Sequence, residues 1–211
     1  MKKNRKQLPL IAQFNVKIDL EELKKECDNF ALRFIDVQLA NPGLCENHQK
    51  MSVIYQYFEE VPLTLCSKTF NPTTSIKERI ERKEESFWNV PTEDFTKSYF
   101  KKITDQFKAP VTRVRLTKLP AHKDLVYHID YDPTYAVRCV VPIYTNKNVK
   151  NLFRINGKEE TYFLEEGKAY FLNTGIEHAV VNDSNEPRIA LLFSLDGQED
   201  LDNILNVSAV Q

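Results

Sequence analysis

From Val111 onward the chain breaks into eight short runs rich in β-branched, aliphatic and aromatic residues. They are Val111–Leu119, Leu125–Asp130, Ala136–Thr145, Leu152–Ile155, Thr161–Leu164, Ala169–Asn173, His178–Asn182 and Arg188–Leu195. Turn-forming residues separate them, among them Asp132-Pro133, Asn146–Asn148, Asn156-Gly157, Glu166-Gly167 and Asn185–Pro187. Many short strands at near-regular spacing bury their apolar faces by closing into a barrel or stacking as a sandwich.

The first 110 residues read differently. Asp19 to Phe30 predicts a helix, with Leu20, Leu23 and Cys27 recurring at three- and four-residue intervals. Ser75 to Glu85 has helix-forming composition, with Ile76 and Ile80 on one face. Thr92 to Phe107 predicts the best helix, because Thr92 can cap it and Phe95, Tyr99, Ile103 and Phe107 form an i, i+4 stripe. Ala40 to Cys66 mixes the turn Asn41-Pro42-Gly43 with a strand over Met51 to Phe58. The expected class is α+β, mainly β: one domain over 1–211, with a helical and mixed part to residue 110, a β core over 111–196 and a tail over 197–211.

Composition narrows the function classes. Apolar residues at 42% and charged residues at 28% fit a globular chain that can bury a core. A formal net charge of −1 provides no basic field, so no nucleic-acid partner is expected. The basic cluster Lys2, Lys3, Arg5 and Lys6 reads as a frayed, solvated end. No apolar run reaches bilayer-spanning length, and Leu8 to Phe14 is too short and interrupted for a secretory segment, so no membrane association is expected. Cys27, Cys45, Cys66 and Cys139 show no C-x-x-C spacing and read as reduced thiols, which points to the cytoplasm.

The four histidines are His48, His122, His128 and His178. His128-Ile129-Asp130 is H-x-D within a predicted strand, where residues two apart share a face. His178 follows fifty residues later, in a strand that a barrel can bring alongside. Two histidines and a carboxylate with open positions form the facial arrangement of non-haem Fe(II) oxygenases. H-x-D alone is more often a hydrogen-bonded pair, and a cupin-like barrel with such a set also accommodates zinc or manganese.

Two arginines add to the pattern. Arg188 alternates with Ala190, Leu192 and Ser194, while Ile189, Leu191, Phe193 and Leu195 form the apolar face. Arg188 therefore projects to the other side, beside small residues, where a guanidinium fork suits a carboxylate. Arg138 interrupts the apolar run Val137, Cys139, Val140, Val141 and Ile143. A charge in such a strand requires a partner, either a structural ion pair or a ligand carboxylate.

Taken in order, R-x-R-L (Arg113 to Leu116), H-I-D, R-C-V-V-P-I (Arg138 to Ile143), E-G-K-A-Y-F-L-N (Glu166 to Asn173), H-A-V-V-N (His178 to Asn182) and R-I-A-L-L-F (Arg188 to Phe193) resemble one family. It is the aspartyl/asparaginyl β-hydroxylase-like branch of the Fe(II)/2-oxoglutarate-dependent oxygenases, which includes cis-proline hydroxylase-like enzymes. The resemblance spans Val111 to Asp196. It implies a double-stranded β-helix, a jelly-roll or cupin-like barrel, with the N-terminal helices packed beside it.

The resemblance further implies Fe(II) held by His128, Asp130 and His178, with 2-oxoglutarate and O2 as cosubstrates. Arg188 would bind the distal carboxylate of 2-oxoglutarate, assisted by the Thr117 hydroxyl, and Arg138 would lie at its iron-proximal carboxylate. Family members often carry R-x-H-I-P, where this chain has Val140 in place of the histidine. Asp130 favours hydroxylation over halogenation, which needs that position vacated. The implied reaction hydroxylates an unactivated C–H of a free amino acid, or of a side chain in a peptide or protein, releasing succinate and CO2. Tyr127, Tyr131 and Tyr135 serve either as a pocket wall or as ordinary strand packing. The rival expectations are a metal-binding cupin with non-oxidative chemistry and a non-catalytic β-barrel binding module.

Overall fold

The computed structural model describes residues 2–37, 58–69 and 75–210. All eight expected strands are present, six of them with ends shifted by one to three residues. In chain order the strands are β1 (Ile11–Gln13), β2 (Ile35–Asp36), β3 (Glu59–Pro62), β4 (Thr64–Leu65), β5 (Val90–Pro91), β6 (Val111–Leu119) and β7 (Lys123–His128). Then follow β8 (Val137–Tyr144), β9 (Val149–Ile155), β10 (Lys158–Tyr162), β11 (Tyr170–Leu172), β12 (Glu177–Asn182), β13 (Arg188–Leu195) and β14 (Leu205–Asn206).

Among the described residues an eight-stranded sheet runs β14-β1-β11-β8-β13-β6-β3-β2 and a four-stranded sheet runs β10-β9-β12-β7. From β6 to β13 the chain passes back and forth between them. Only β9 and β10 are joined within one sheet, by the turn at Asn156-Gly157. That pattern is the double-stranded β-helix. The turn has φ values of 50° and 77°, the left-handed pair that a two-residue hairpin of right-twisted strands requires.

Strand alternation divides the core in two. Val137, Cys139, Val141 and Ile143 on β8, with Leu191, Phe193 and Leu195 on β13, point outward into one apolar cluster. Helices α1 (Leu20–Asp28), α3 (Glu93–Lys97) and α4 (Tyr99–Thr104) cover that face through Leu23, Cys27, Phe95, Phe100 and Ile103. Helix α2 (Ile76–Glu81) lies apart from this cluster. Val140 and Ala190 point inward to Phe153, Tyr162 and Tyr170. The strands are thus buried on both faces, which is why β8 reads as an almost continuous apolar run.

Several expectations are corrected. The first 110 residues do more than pack helices: β1, β2 and β3 extend the large sheet, with β1 pairing β11 and β3 pairing β6. The single helix over Thr92 to Phe107 is two, broken at Ser98, whose backbone is extended (φ −85°, ψ 163°). The Ser98 hydroxyl donates to the Phe95 carbonyl at 2.8 Å, and the freed Tyr99 N–H donates to the Glu26 carboxylate at 3.0 Å. The apolar stripe survives the break, since Phe95, Ile103 and Phe107 are all buried in the outer cluster.

The helix expected to reach Glu85 stops earlier. Its end at Arg82 is followed by left-handed Lys83 (φ 56°), which turns Glu84 and Glu85 into the interior. The basic N-terminus is tied down rather than frayed: Lys2 Nζ donates to Thr134 O at 3.0 Å and Arg5 Nη1 to Gly175 O at 2.8 Å. The turn at residues 41–43, and the strand expected over Met51 to Phe58 apart from Phe58 itself, lie outside the described residues, as do Cys45 and His48. Cys27, Cys66 and Cys139 are free thiols. No helix among the described residues is long and apolar enough to cross a membrane.

Candidate active site

Strands β7 and β12 are antiparallel neighbours, and their register sets His128 directly opposite His178. A separation of fifty residues in sequence becomes a cross-strand pair with ring centroids 4.3 Å apart. On its other side His178 is paired with Phe153 of β9, and the two rings stack at 5.8 Å.

Asp130 does not sit in the strand as the H-x-D reading assumed. β7 ends at His128, and Asp130 follows in irregular backbone whose N–H donates to Thr174 O at 2.9 Å. That bond, rather than the ladder, returns the carboxylate to the imidazoles. Asp130 Oδ1 lies 3.8 Å from His128 Nε2. One donor atom from each of His128, Asp130 and His178 falls within 4.8 Å of the others.

Both rings are fixed in the same way. His128 Nδ1 lies 2.7 Å from Val126 O, and His178 Nδ1 lies 2.9 Å from Ile176 O. A carbonyl can only accept, so each Nδ1 carries the proton and each Nε2 presents a lone pair. This is the outer-shell bond that orients a metal-binding histidine. Burial, then the neighbouring His128, lowers His178 to about 4, so its ring is neutral at ordinary pH. Burial would raise Asp130, but Arg138 and the two histidines outweigh it and hold the carboxyl below its usual range. Two imidazoles, the His178 ring neutral, and an ionised carboxylate form a donor set that fits Fe(II).

Arg188 opens β13 opposite Leu119, with 5% of its surface exposed. Its guanidinium has no hydrogen bond or ion pair among the described residues, and burial alone lowers it to about 10. A buried cation without a counterion is costly unless an anion joins it, so the site fits a ligand carboxylate. Thr117 is fully buried beside Ala190 on the adjacent strand, and its hydroxyl donates to Ala190 O at 3.2 Å. Val140 lies in the inner apolar cluster.

Arg138 is ion-paired. Its Nη1 donates to Glu85 Oε1 at 3.0 Å and to Ser194 Oγ at 2.7 Å, while Nη2 faces Asp130 Oδ2 at 3.9 Å. The other Glu85 oxygen accepts from Arg113 Nη1 at 2.9 Å. Arg113 sits at a bulge in β6: Leu192 pairs Arg115 but Ser194 pairs Thr112, and Arg113 takes φ 48°. Such a bulge re-aims a side chain. Arg115 Nε approaches Glu60 Oε1 to 2.8 Å, although at an angle that leaves the N–H without a hydrogen bond.

Glu85 and Glu60 were not read from sequence as part of the site. The signal was present: Arg113, Arg115 and Arg138 all fall in buried strands and demand carboxylates. Nothing local says which ones. Tyr131 and Tyr135 pack edge to face at 4.7 Å, and the Tyr135 hydroxyl accepts the Glu85 N–H at 2.9 Å. Tyr127 lies instead under Arg154 and hydrogen-bonds Glu159.

The family model for aspartyl/asparaginyl beta-hydroxylase matches residues 83–196, more than half of the chain. No curated protein sequence matches it. Among solved structures, a prolyl-4-hydroxylase from Pseudomonas putida aligns over 89% of this chain and 92% of its own, at 8% identity and a TM-score of 0.48. An oxidoreductase of the 2OG-Fe(II) oxygenase family from Burkholderia pseudomallei aligns over 81% and 91%, at 10% identity and 0.40. A cupin domain from Bordetella pertussis aligns over 41% and 82%, at 22% identity and 0.33.

Proposed function

The chain belongs to the aspartyl/asparaginyl β-hydroxylase family of Fe(II)/2-oxoglutarate-dependent oxygenases, and from that premise we propose that His128, Asp130 and His178 hold the iron and that the substrate is an amino acid, free or as a side chain. The observation that carries this reading is the opposed histidine pair, each Nδ1 tied to a backbone carbonyl, with the Asp130 carboxylate beside it. Iron with 2-oxoglutarate and O2, when bound, supplies the oxidising power to hydroxylate an unactivated C–H, with succinate and CO2 as coproducts.

The protein's own residues supply position and charge. His128 and His178 turn Nε2 toward the metal position, and the His178 ring need lose no proton to bind there. Asp130 would offer the metal one carboxylate oxygen beside the two rings. Arg188 receives the distal carboxylate of 2-oxoglutarate and is relieved of a buried, unpaired charge. Thr117 joins it by rotating its O–H away from Ala190 O. Arg138, held beside Asp130, favours the iron-proximal carboxylate. Val140, Phe153 and Ala190 keep water from the inner side, with Phe153 stacked on His178.

The test is a screen of free amino acids and short peptides for stimulated 2-oxoglutarate turnover, with the product mass measured for one added oxygen. Stimulation and oxygen gain together support the reading. Full substrate-dependent succinate formation in H128A and D130A would overturn it.

A further inference from the structure

Glu85 is 4% exposed and both of its carboxylate oxygens are engaged. Oε1 accepts from Arg138 Nη1 and from Ser194 Oγ at 2.7 Å; Oε2 accepts from Arg113 Nη1. Its own N–H is held by the Tyr135 hydroxyl. Two departures from ordinary backbone bring the partners together: left-handed Lys83 turns Glu85 inward, and the bulge at Arg113 turns that arginine to meet it. Strain of this kind persists where surrounding structure holds it.

We propose that Glu85 is a positioning residue of the iron site, acting through Arg138 on Asp130. The inference rests on the reading that His128, Asp130 and His178 bind iron. With Nη1 committed to Glu85 and Ser194, the Arg138 guanidinium is fixed, and its Nη2 stops 3.9 Å short of Asp130 Oδ2. That separation attracts Asp130 without a hydrogen bond. It orients Oδ2 toward Arg138 while Oδ1 stays on the imidazole side, 3.8 Å from His128 Nε2. Glu85 thereby shares the arginine's charge. Without it, Arg138 is a buried cation that draws Asp130 away from the metal position.

The experiment uses the full chain, with Mn(II) as an air-stable probe of affinity and Co(II) as a probe of ligand geometry. E85Q keeps the size of the side chain and removes its charge. Mn(II) affinity falls about 10- to 100-fold, the range for outer-shell partners, and the Co(II) absorption bands shift. A purely structural role for Glu85 lowers the melting temperature of E85Q and moves neither metal readout. Unchanged Mn(II) affinity and Co(II) bands in folded E85Q, with binding lost in D130A, overturn the inference and leave the site reading intact. Wild-type Mn(II) affinity in both D130A and H178A overturns the site reading and the inference with it. Should E85Q fail to fold, S194A carries the test. S194A removes a hydroxyl that both Arg138 and Glu85 bond, so it loosens the hold on the guanidinium. E85D, which draws the carboxylate back from Arg138, is measured beside it, and unchanged Mn(II) affinity and Co(II) bands in both overturn the inference.

Discussion

His128 and His178 face each other across adjacent antiparallel strands, and each is locked by a hydrogen bond to the carbonyl two residues before it. The two rings are thus held in one orientation by the backbone itself. Neither ring can turn Nε2 away without abandoning its backbone carbonyl, and protonating His178 is opposed by burial and by its partner ring. Removing either ring leaves a site with too few donors. H178A and D130A should each weaken Mn(II) or Fe(II) binding by more than the roughly 10- to 100-fold typical of an outer-shell partner. Equilibrium metal titration measures this, and near-wild-type affinity in either variant contradicts the ligand set.

Arg188 yields a prediction with opposite signs in two conditions. R188M replaces a buried, unpaired cation with an apolar chain of similar length. Without 2-oxoglutarate the variant should melt at the wild-type temperature or above it, because no ion pair among the described residues is lost. With Mn(II) and 2-oxoglutarate present, the wild type should gain stability and R188M should gain little. Thermal melts in both conditions decide it; a variant that melts several degrees lower without ligand shows that Arg188 has a stabilising partner and refutes the prediction.

Glu85 should dominate a part of the acid response. Burial would raise it, but Arg113, Arg138, Arg115 and the Ser194 hydroxyl hold it far below its ordinary value near 4.5. A carboxylate depressed in the folded state stabilises the protein above its unfolded value, and that contribution drains away as pH falls below it. E85Q leaves buried arginines short of charge and should cost about 3–5 kcal/mol at pH 7. The gap between wild type and E85Q should narrow as pH drops below 4.5. Denaturant unfolding at pH 7 and at pH 3.5 checks the sign, and a gap that widens in acid refutes it.

The thiols should divide by burial. Burial, with the Asp28 carboxylate beside it, pushes Cys27 up to about 12, and burial holds Cys139 well above the ordinary thiol range. Cys66 is partly exposed. Iodoacetamide at pH 8 should therefore label Cys66 in the native protein and leave Cys27 and Cys139 unmodified until denaturant is added. Peptide mass mapping reads the result directly.

Local pattern in the sequence was enough for the strands of the barrel and for singling out His128, Asp130 and His178, which the fold brings together. Alternation on Arg188–Leu195 assigned Leu191 and Phe193 to one face and Ala190 to the other, and both faces proved buried because the barrel has an inner and an outer core. Asn156-Gly157 specified its hairpin because few residue pairs adopt two left-handed conformations in succession. What stayed hidden depends on partners far away along the chain. Ser98 breaks a good helical pattern because Glu26 stands ready to cap the second half. Asp130 returns to the histidines through the Thr174 carbonyl rather than through strand geometry. Arg138 announces the need for a carboxylate, but only the turn at Lys83 and the bulge at Arg113 decide that Glu85 meets it. Apolar periodicity is a property of neighbours in sequence, whereas a buried charge finds its partner only once the sheets have closed around both.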